Sequence, residues 1–214
     1  MAFSVAQAAD SEVLEQEVEA MSNASDMKGR GYILAATISF LRETAGSKHA
    51  EEILQTVSPE LQEVCRRVQP AELYPIPMFA ELNGALVRHL AGNDEAKARD
   101  ILIKCGRHMG REASNTFLKL LMRMLTPKLI MKKLPDFWRR DFTGGNIEVK
   151  PRENGLECFM FGIQGYDHCC PLSAGWQEYN LEAMGKSLQG TTIRKWSLDE
   201  PSRDGTSFEV IWAA

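Results

Sequence analysis

No apolar run in this 214-residue chain approaches the roughly 18 residues needed to cross a bilayer. Its first residues carry neither a basic stretch nor a continuous apolar one, so no secretory signal is expected. Common catalytic patterns are missing as well: there is no GxSxG, no HExxH and no phosphate-cradling glycine loop. Lys28-Gly29-Arg30-Gly31 has only two glycines of a dinucleotide fingerprint and follows no expected strand. An excess of positive charge is also lacking, and the net charge of −4 argues against non-specific nucleic-acid binding. The cysteines are odd in number and without a repeated spacing, and adjacent Cys169-Cys170 is no CxxC. They read as free thiols in a reducing cytoplasm.

What is present is a chain with 44% hydrophobic residues, able to bury a sizeable core. Its charge is uneven. Residues 1–26 are acidic with no Lys or Arg, and 127–152 are rich in both. The expected organisation is an acidic arm, 1–26, and one domain over 27–214.

The centre of that domain is the stretch from Asn93 to Leu125, which reads as one long helix. Asn93 or Asp94 can cap it, and Ile101, Cys105, Met109, Phe117, Leu120 and Leu121 recur at helical spacing. Gly106 and Gly110 each cost about 1 kcal/mol there relative to Ala. With Leu102, Ala113 and Phe117 they make a smooth flank that lets another backbone or a bulky ligand come close.

Before this helix the apolar residues follow a helical period at Tyr32–Thr44, Ser47–Thr56, from Ser58-Pro59 onward, and at Met78–Leu90, with Tyr74-Pro75-Ile76-Pro77 as a stiff extended link. After it, Thr126-Pro127 starts a short helix that Pro135 should interrupt. Beyond Gly144-Gly145 the period becomes two. Ile147 and Val149, then Leu156, Cys158 and Met160, alternate around an Asn154-Gly155 turn. A helix from Pro171, a strand at Thr192–Trp196 and a strand holding Phe208, Val210 and Trp212 complete the chain. Helices followed by β-β-α-β-β predict an α+β fold with a four-stranded antiparallel sheet.

Few residues suggest chemistry. His108, mid-helix, is a packed side chain or an axial heme or metal ligand. His168, Cys169 and Cys170 offer nitrogen and sulfur to a metal, although adjacent residues cannot easily converge on one tetrahedral centre. The basic, aromatic stretch Asp136–Phe142, with Trp138, is either an amphipathic element anchored in the core or a dock for an acidic partner or headgroups.

The helix Leu102–Arg111, continuing to Phe117-Leu118, resembles the glycine-bearing helix of TRAPP and four-vinyl-reductase domains, which share a fold with the heme–nitric-oxide-binding domains. KGRGYILAATISFLRE, Tyr74-Pro75, LPDFWRRDF and FEVIW look like an uncharacterised family found mainly in myxobacteria, over roughly 27–213. The resemblance implies a ligand-binding or dimerising module, often a sensory input. Two departures bear on cofactors. Zinc-binding four-vinyl-reductase domains place cysteines in the last hairpin, where this chain has Trp196, Ser207 and Phe208. The heme relatives carry Tyr-x-Ser-x-Arg after the proximal histidine, which is absent here, so heme through His108 is not expected and neither is any other cofactor.

The leading expectation is therefore a non-enzymatic cytoplasmic sensor or adaptor. A small apolar molecule or lipid would sit near Cys105, His108, Met109, Phe117 and Trp138. The alternatives are a protein–protein interaction or dimerisation module with a solid core, a heme- or metal-binding sensor, and, with least support, an enzyme. A homodimer through the N-terminal helices and perhaps the glycine helix is expected, since one sheet face cannot cover every apolar helix face before residue 92.

Overall fold

The change of period near residue 144 divides two layers that pack on each other. The computed structural model describes residues 26–114, 126–163, 165–194 and 205–213. The N-terminal layer contains β1 (Lys28–Arg30), α1 (Gly31–Ala45), α2 (Ser47–Leu54), α3 (Pro59–Arg67), β2 (Leu73–Pro75), α4 (Ile76–Ala91) and α5 (Glu95–Ala113). Then come α6 (Pro127–Asp141), β3 (Asn146–Arg152), β4 (Gly155–Phe161), α7 (Cys169–Ala183), β5 (Leu188–Arg194) and β6 (Thr206–Trp212). The antiparallel sheet has the order β3-β4-β6-β5, so the fold is α+β with the expected β-β-α-β-β sequence.

Local chemistry sets many boundaries. Ser58 caps α3 by accepting from the Leu61 amide, Asp94 caps α5 from Lys97, and Thr126 caps α6 from Leu129, with Pro59 and Pro127 in the first turns of their helices. Several elements differ from the sequence reading. Tyr74-Pro75 is not merely a stiff link: Leu73–Pro75 pairs with Lys28–Arg30 as a second, two-stranded sheet. The central helix ends at Ala113, because Ser114 is extended; residues 115–125, which hold Phe117, lie outside the described residues. Pro135 does not interrupt α6. Its cost of about 3 kcal/mol is opposed by Ile130, Leu134 and Trp138, all buried on the same helix, each contributing about 1.5–3 kcal/mol. The hairpin loop is Glu153-Asn154, and Gly155 already pairs with Arg152. A Cβ on Gly155 would lie 2.9 Å from the Val210 carbonyl oxygen, so this glycine serves the close approach of β6.

The two layers meet through α5 and α7. A Cβ on Gly106 would fall 1.9 Å from the Leu172 carbonyl oxygen, and one on Gly175 would fall 1.9 Å from that of Ile103. Each helix thus presents a glycine to the other's backbone, and Gly110 lies under the Tyr179 ring. The smooth flank of α5 admits a helix rather than a ligand. Arg107 locks the pair by donating to Glu178 and Glu182. On its other side α7 covers the inner sheet face, where Leu156, Cys158, Met160, Phe208 and Val210 are fully buried.

The apolar helix faces that suggested a dimer are covered within one chain: Phe40 is 8% exposed, and Phe79, Leu82 and Leu86 are fully buried. Among the described residues, no helix is long and apolar enough to cross a membrane.

Candidate functional site

One side of α7 remains partly open, and a cavity of about 770 Å³ lies there. That volume falls within the roughly 300–1,000 Å³ usual for small-molecule sites. Its walls are Ile33 and Ala36 of α1, Met109 at the end of α5, Ile130, Leu134 and Trp138 of α6, and Cys169, Leu172 and Trp176 of α7, with Tyr166 and Ile147. The apolar character follows from the elements that meet there. Each presents its core-facing stripe, and no further element fills the gap among the described residues.

Polar groups are few and fixed. Asp141, 3% exposed, accepts from the Arg140 guanidinium through both oxygens at 2.8 Å and from the Tyr32 hydroxyl at 2.9 Å. Burial, then the Asp141 charge, pushes the Tyr32 phenol far above its usual range. The Trp138 indole donates to the Gly144 carbonyl at 3.0 Å while its ring stacks on Phe142, which holds it as a rigid wall. Tyr166, 1% exposed, accepts from the Asn83 amide at 3.3 Å. The Gln177 side-chain oxygen, in the same lining, has no hydrogen-bond partner among the described residues although the residue is only 6% exposed. An unsatisfied buried acceptor costs about 1–3 kcal/mol. Cys169 lies 3.7 Å from the Ser173 hydroxyl, and burial pushes its thiol up to about 12, so it is protonated at neutral pH.

Of the residues singled out from the sequence, Met109 and Trp138 line this cavity, and Cys105 and His108 do not. Cys105 is fully buried, its thiol pushed up to about 12 by burial. His108, 4% exposed, faces a separate polar recess with Glu43, Arg107 and Arg111. There Ser39 Oγ lies 3.1 Å from His108 Nε2, and Glu43 lies 3.3 Å from Nδ1. A Ser-His-Glu order of this kind matches a hydrolytic triad, and it could not be read from the sequence because Ser39 and His108 are remote in the chain. Arg111 reverses its polarity. The guanidinium donates to Nδ1 at 2.7 Å, so the imidazole proton sits on Nε2 and points at the serine. Burial, then the Arg111 charge, lowers the His108 pKa. Ser39 also lies within α1, where neighbouring amides serve the helix rather than an oxyanion. The arrangement is a structural anchor between α1 and α5.

The weak metal candidates do not converge. Cys169 turns to Ser173, Cys170 is fully buried with its thiol pushed up to about 12 by burial, and His168 is held neutral by burial and by Arg88, its pKa lowered to about 4. Among the described residues no three His, Cys, Asp or Glu side chains are placed to share a metal ion.

No protein-family model and no curated protein matches the chain. Solved structures match its fold. The Fe(II) unliganded H-NOX protein from K. algicida superposes with a TM-score of 0.62 at 13% identity, over 86% of this chain and 97% of that one. An H-NOX protein from S. oneidensis in the Fe(II) ligation state gives 0.56 at 11% identity, over 86% and 96%. A structure that probes the function of heme distortion in the H-NOX family gives 0.54 at 15% identity, over 86% and 95%. The likeness agrees with the fold to which the glycine helix and element order pointed. It corrects the expectation that no cofactor is held, because the similar structures are iron and heme proteins. That expectation rested on a missing motif and on His108. A motif tests one way of holding a group, whereas the cavity is built from other residues.

Proposed function

We propose that this chain is a non-enzymatic small-molecule-sensing domain whose ligand occupies the cavity between α1, α6 and α7. The observation that carries the reading is the cavity itself, about 770 Å³ and mainly apolar, walled by both layers of the fold. A ligand there touches α1 of one layer and α7 of the other. Its binding energy can therefore bias how the layers sit, which is what a sensor needs. A cavity of this size supports the sensor reading over the solid-core alternative.

Heme is one occupant suggested by the H-NOX likeness. The cavity suits it in size and apolarity, but no histidine among the described residues lines it. The side chains able to meet iron there are Cys169, Met109, Tyr32 and Tyr166, and thiolate, thioether and phenolate are all known axial ligands. When bound, such a group supplies an iron centre for a small ligand. The chain's own contribution is to exclude water with Trp138 and Trp176 and to offer Cys169, whose thiol must lose its proton on ligation.

The test is titration of the purified protein with hemin and, separately, with an apolar fluorescent probe such as anilinonaphthalene sulfonate. A Ser173→Trp variant fills the cavity in parallel. Saturable binding of either probe, abolished by Ser173→Trp, is expected. A Soret band, where formed, should survive His108→Ala and shift in Cys169→Ala. Failure of both probes to bind wild-type protein refutes the reading.

A further inference from the structure

We propose that the cavity's ligand is a long-chain monocarboxylic acid whose head is seated on Arg30; this rests on the cavity being a ligand site. Four charged side chains line the cavity: Arg30, Arg140, Asp141 and Glu112. Arg140 and Asp141 neutralise each other in a two-pronged contact. Glu112 is exposed, and its carboxylate lies 4.0 Å from His108 Nε2. Arg30 differs. Its guanidinium is oriented by two backbone carbonyls, Nε toward Arg140 and one terminal nitrogen toward Ala71. Among the described residues no carboxylate pairs with it, and its second terminal nitrogen makes no hydrogen bond.

A half-buried guanidinium held in place with no anion on it among the described residues, at the rim of an apolar cavity, matches one anionic head on an apolar body. The number of charges limits the class. With Arg140 already matched, a single negative charge balances Arg30, whereas a dianion would add an unpaired charge beside Asp141 and Glu112. A planar carboxylate also suits the terminal nitrogens of a fixed guanidinium better than a neutral hydroxyl does. The acyl chain would lie along Ile33, Leu134 and Trp138.

The experiment uses cis-parinaric acid, a fluorescent long-chain carboxylate, displaced by hexadecanoic acid or by hexadecanol, with hemin binding measured separately. Wild type is compared with Arg30→Gln, Arg30→Lys and the cavity-filling Ser173→Trp. Circular dichroism melts confirm that each variant folds. Hexadecanoic acid should displace the probe at least tenfold more tightly than the alcohol at low salt, with the margin shrinking as salt rises. Arg30→Gln should remove that margin and leave alcohol binding unchanged, and Arg30→Lys should restore part of it. Equal binding of acid and alcohol, or an equal loss of both in Arg30→Gln, overturns the head-group assignment while the cavity reading stands. So does saturable hemin binding with no binding of either chain compound. Absence of binding by all of these ligands overturns both. Acid binding that persists in Ser173→Trp overturns the placement in this cavity.

Discussion

Gly106→Ala offers the sharpest test of how the two layers are joined, because two well-known effects predict opposite signs. In a helix interior, Ala is favoured over Gly by about 1 kcal/mol. The new methyl would lie 1.9 Å from the Leu172 carbonyl oxygen, and real Cβ atoms essentially never approach within 3.0 Å. The obstacle is backbone, so no side chain can rotate away, and α5 and α7 must part by about 1 Å, enough to forfeit a quarter to half of each contact across the seam. Overpacking typically costs about 1–3 kcal/mol, and a backbone obstacle places this case at the upper end. After the propensity gain, the net is a destabilisation of about 2 kcal/mol. For a chain of this length that corresponds to a fall of about 4–8 °C in Tm. The control is Gly84→Ala in α4, where the methyl meets only the mobile end of Arg88 at 3.3 Å. That variant should gain about 0.5–1 kcal/mol. Urea unfolding followed by circular dichroism at fixed protein concentration measures both. If Gly106→Ala is as stable as wild type while Gly84→Ala gains, the α5–α7 packing described above is wrong.

Gly175→Ala should cost as much as Gly106→Ala, and the double variant should cost less than the sum, since one separation of the helices relieves both clashes; a thermodynamic cycle reads this directly. Tyr32→Phe removes one of the bonds to buried Asp141 and should cost about 1 kcal/mol by urea titration, with Arg140 retaining the rest of that contact. Acid should weaken the fold before the carboxylates titrate. His168 falls from 6.5 to about 4 on folding, so the unfolded chain binds the extra proton. The stability it protects is complete above pH about 6.5 and is lost as pH falls toward 4, on the order of 2 kcal/mol by pH 5. His108, lowered as well, acts in the same direction. Urea midpoints at pH 7.5, 6.0 and 5.0 should fall accordingly, and His168→Asn should flatten the profile; an unchanged slope in that variant would contradict the burial of His168.

The fold was legible in the sequence wherever the deciding interaction is local. Asp94, Ser58 and Thr126 accept from an amide three residues on, and such caps can be read from a few adjacent letters. The alternation of Leu156, Cys158 and Met160 marks one covered sheet face, because a strand's side chains take opposite sides in turn. Periodicity records that a face is covered and not what covers it. Only tertiary structure decided that Gly106 faces the Leu172 carbonyl rather than a ligand, that Leu73–Pro75 pairs with Lys28–Arg30, and that Pro135 sits within a helix held by Leu134 and Trp138. The cavity is of the same kind. Met109 and Trp138 carried an apolar signal that suits core and pocket equally, whereas Cys105 and His108, a few residues away on the same helix, turn to other neighbours. A cavity is the space left where several covered faces fail to meet. That property depends on the placement of α1, α6 and α7 together, and no stretch of the chain contains it alone.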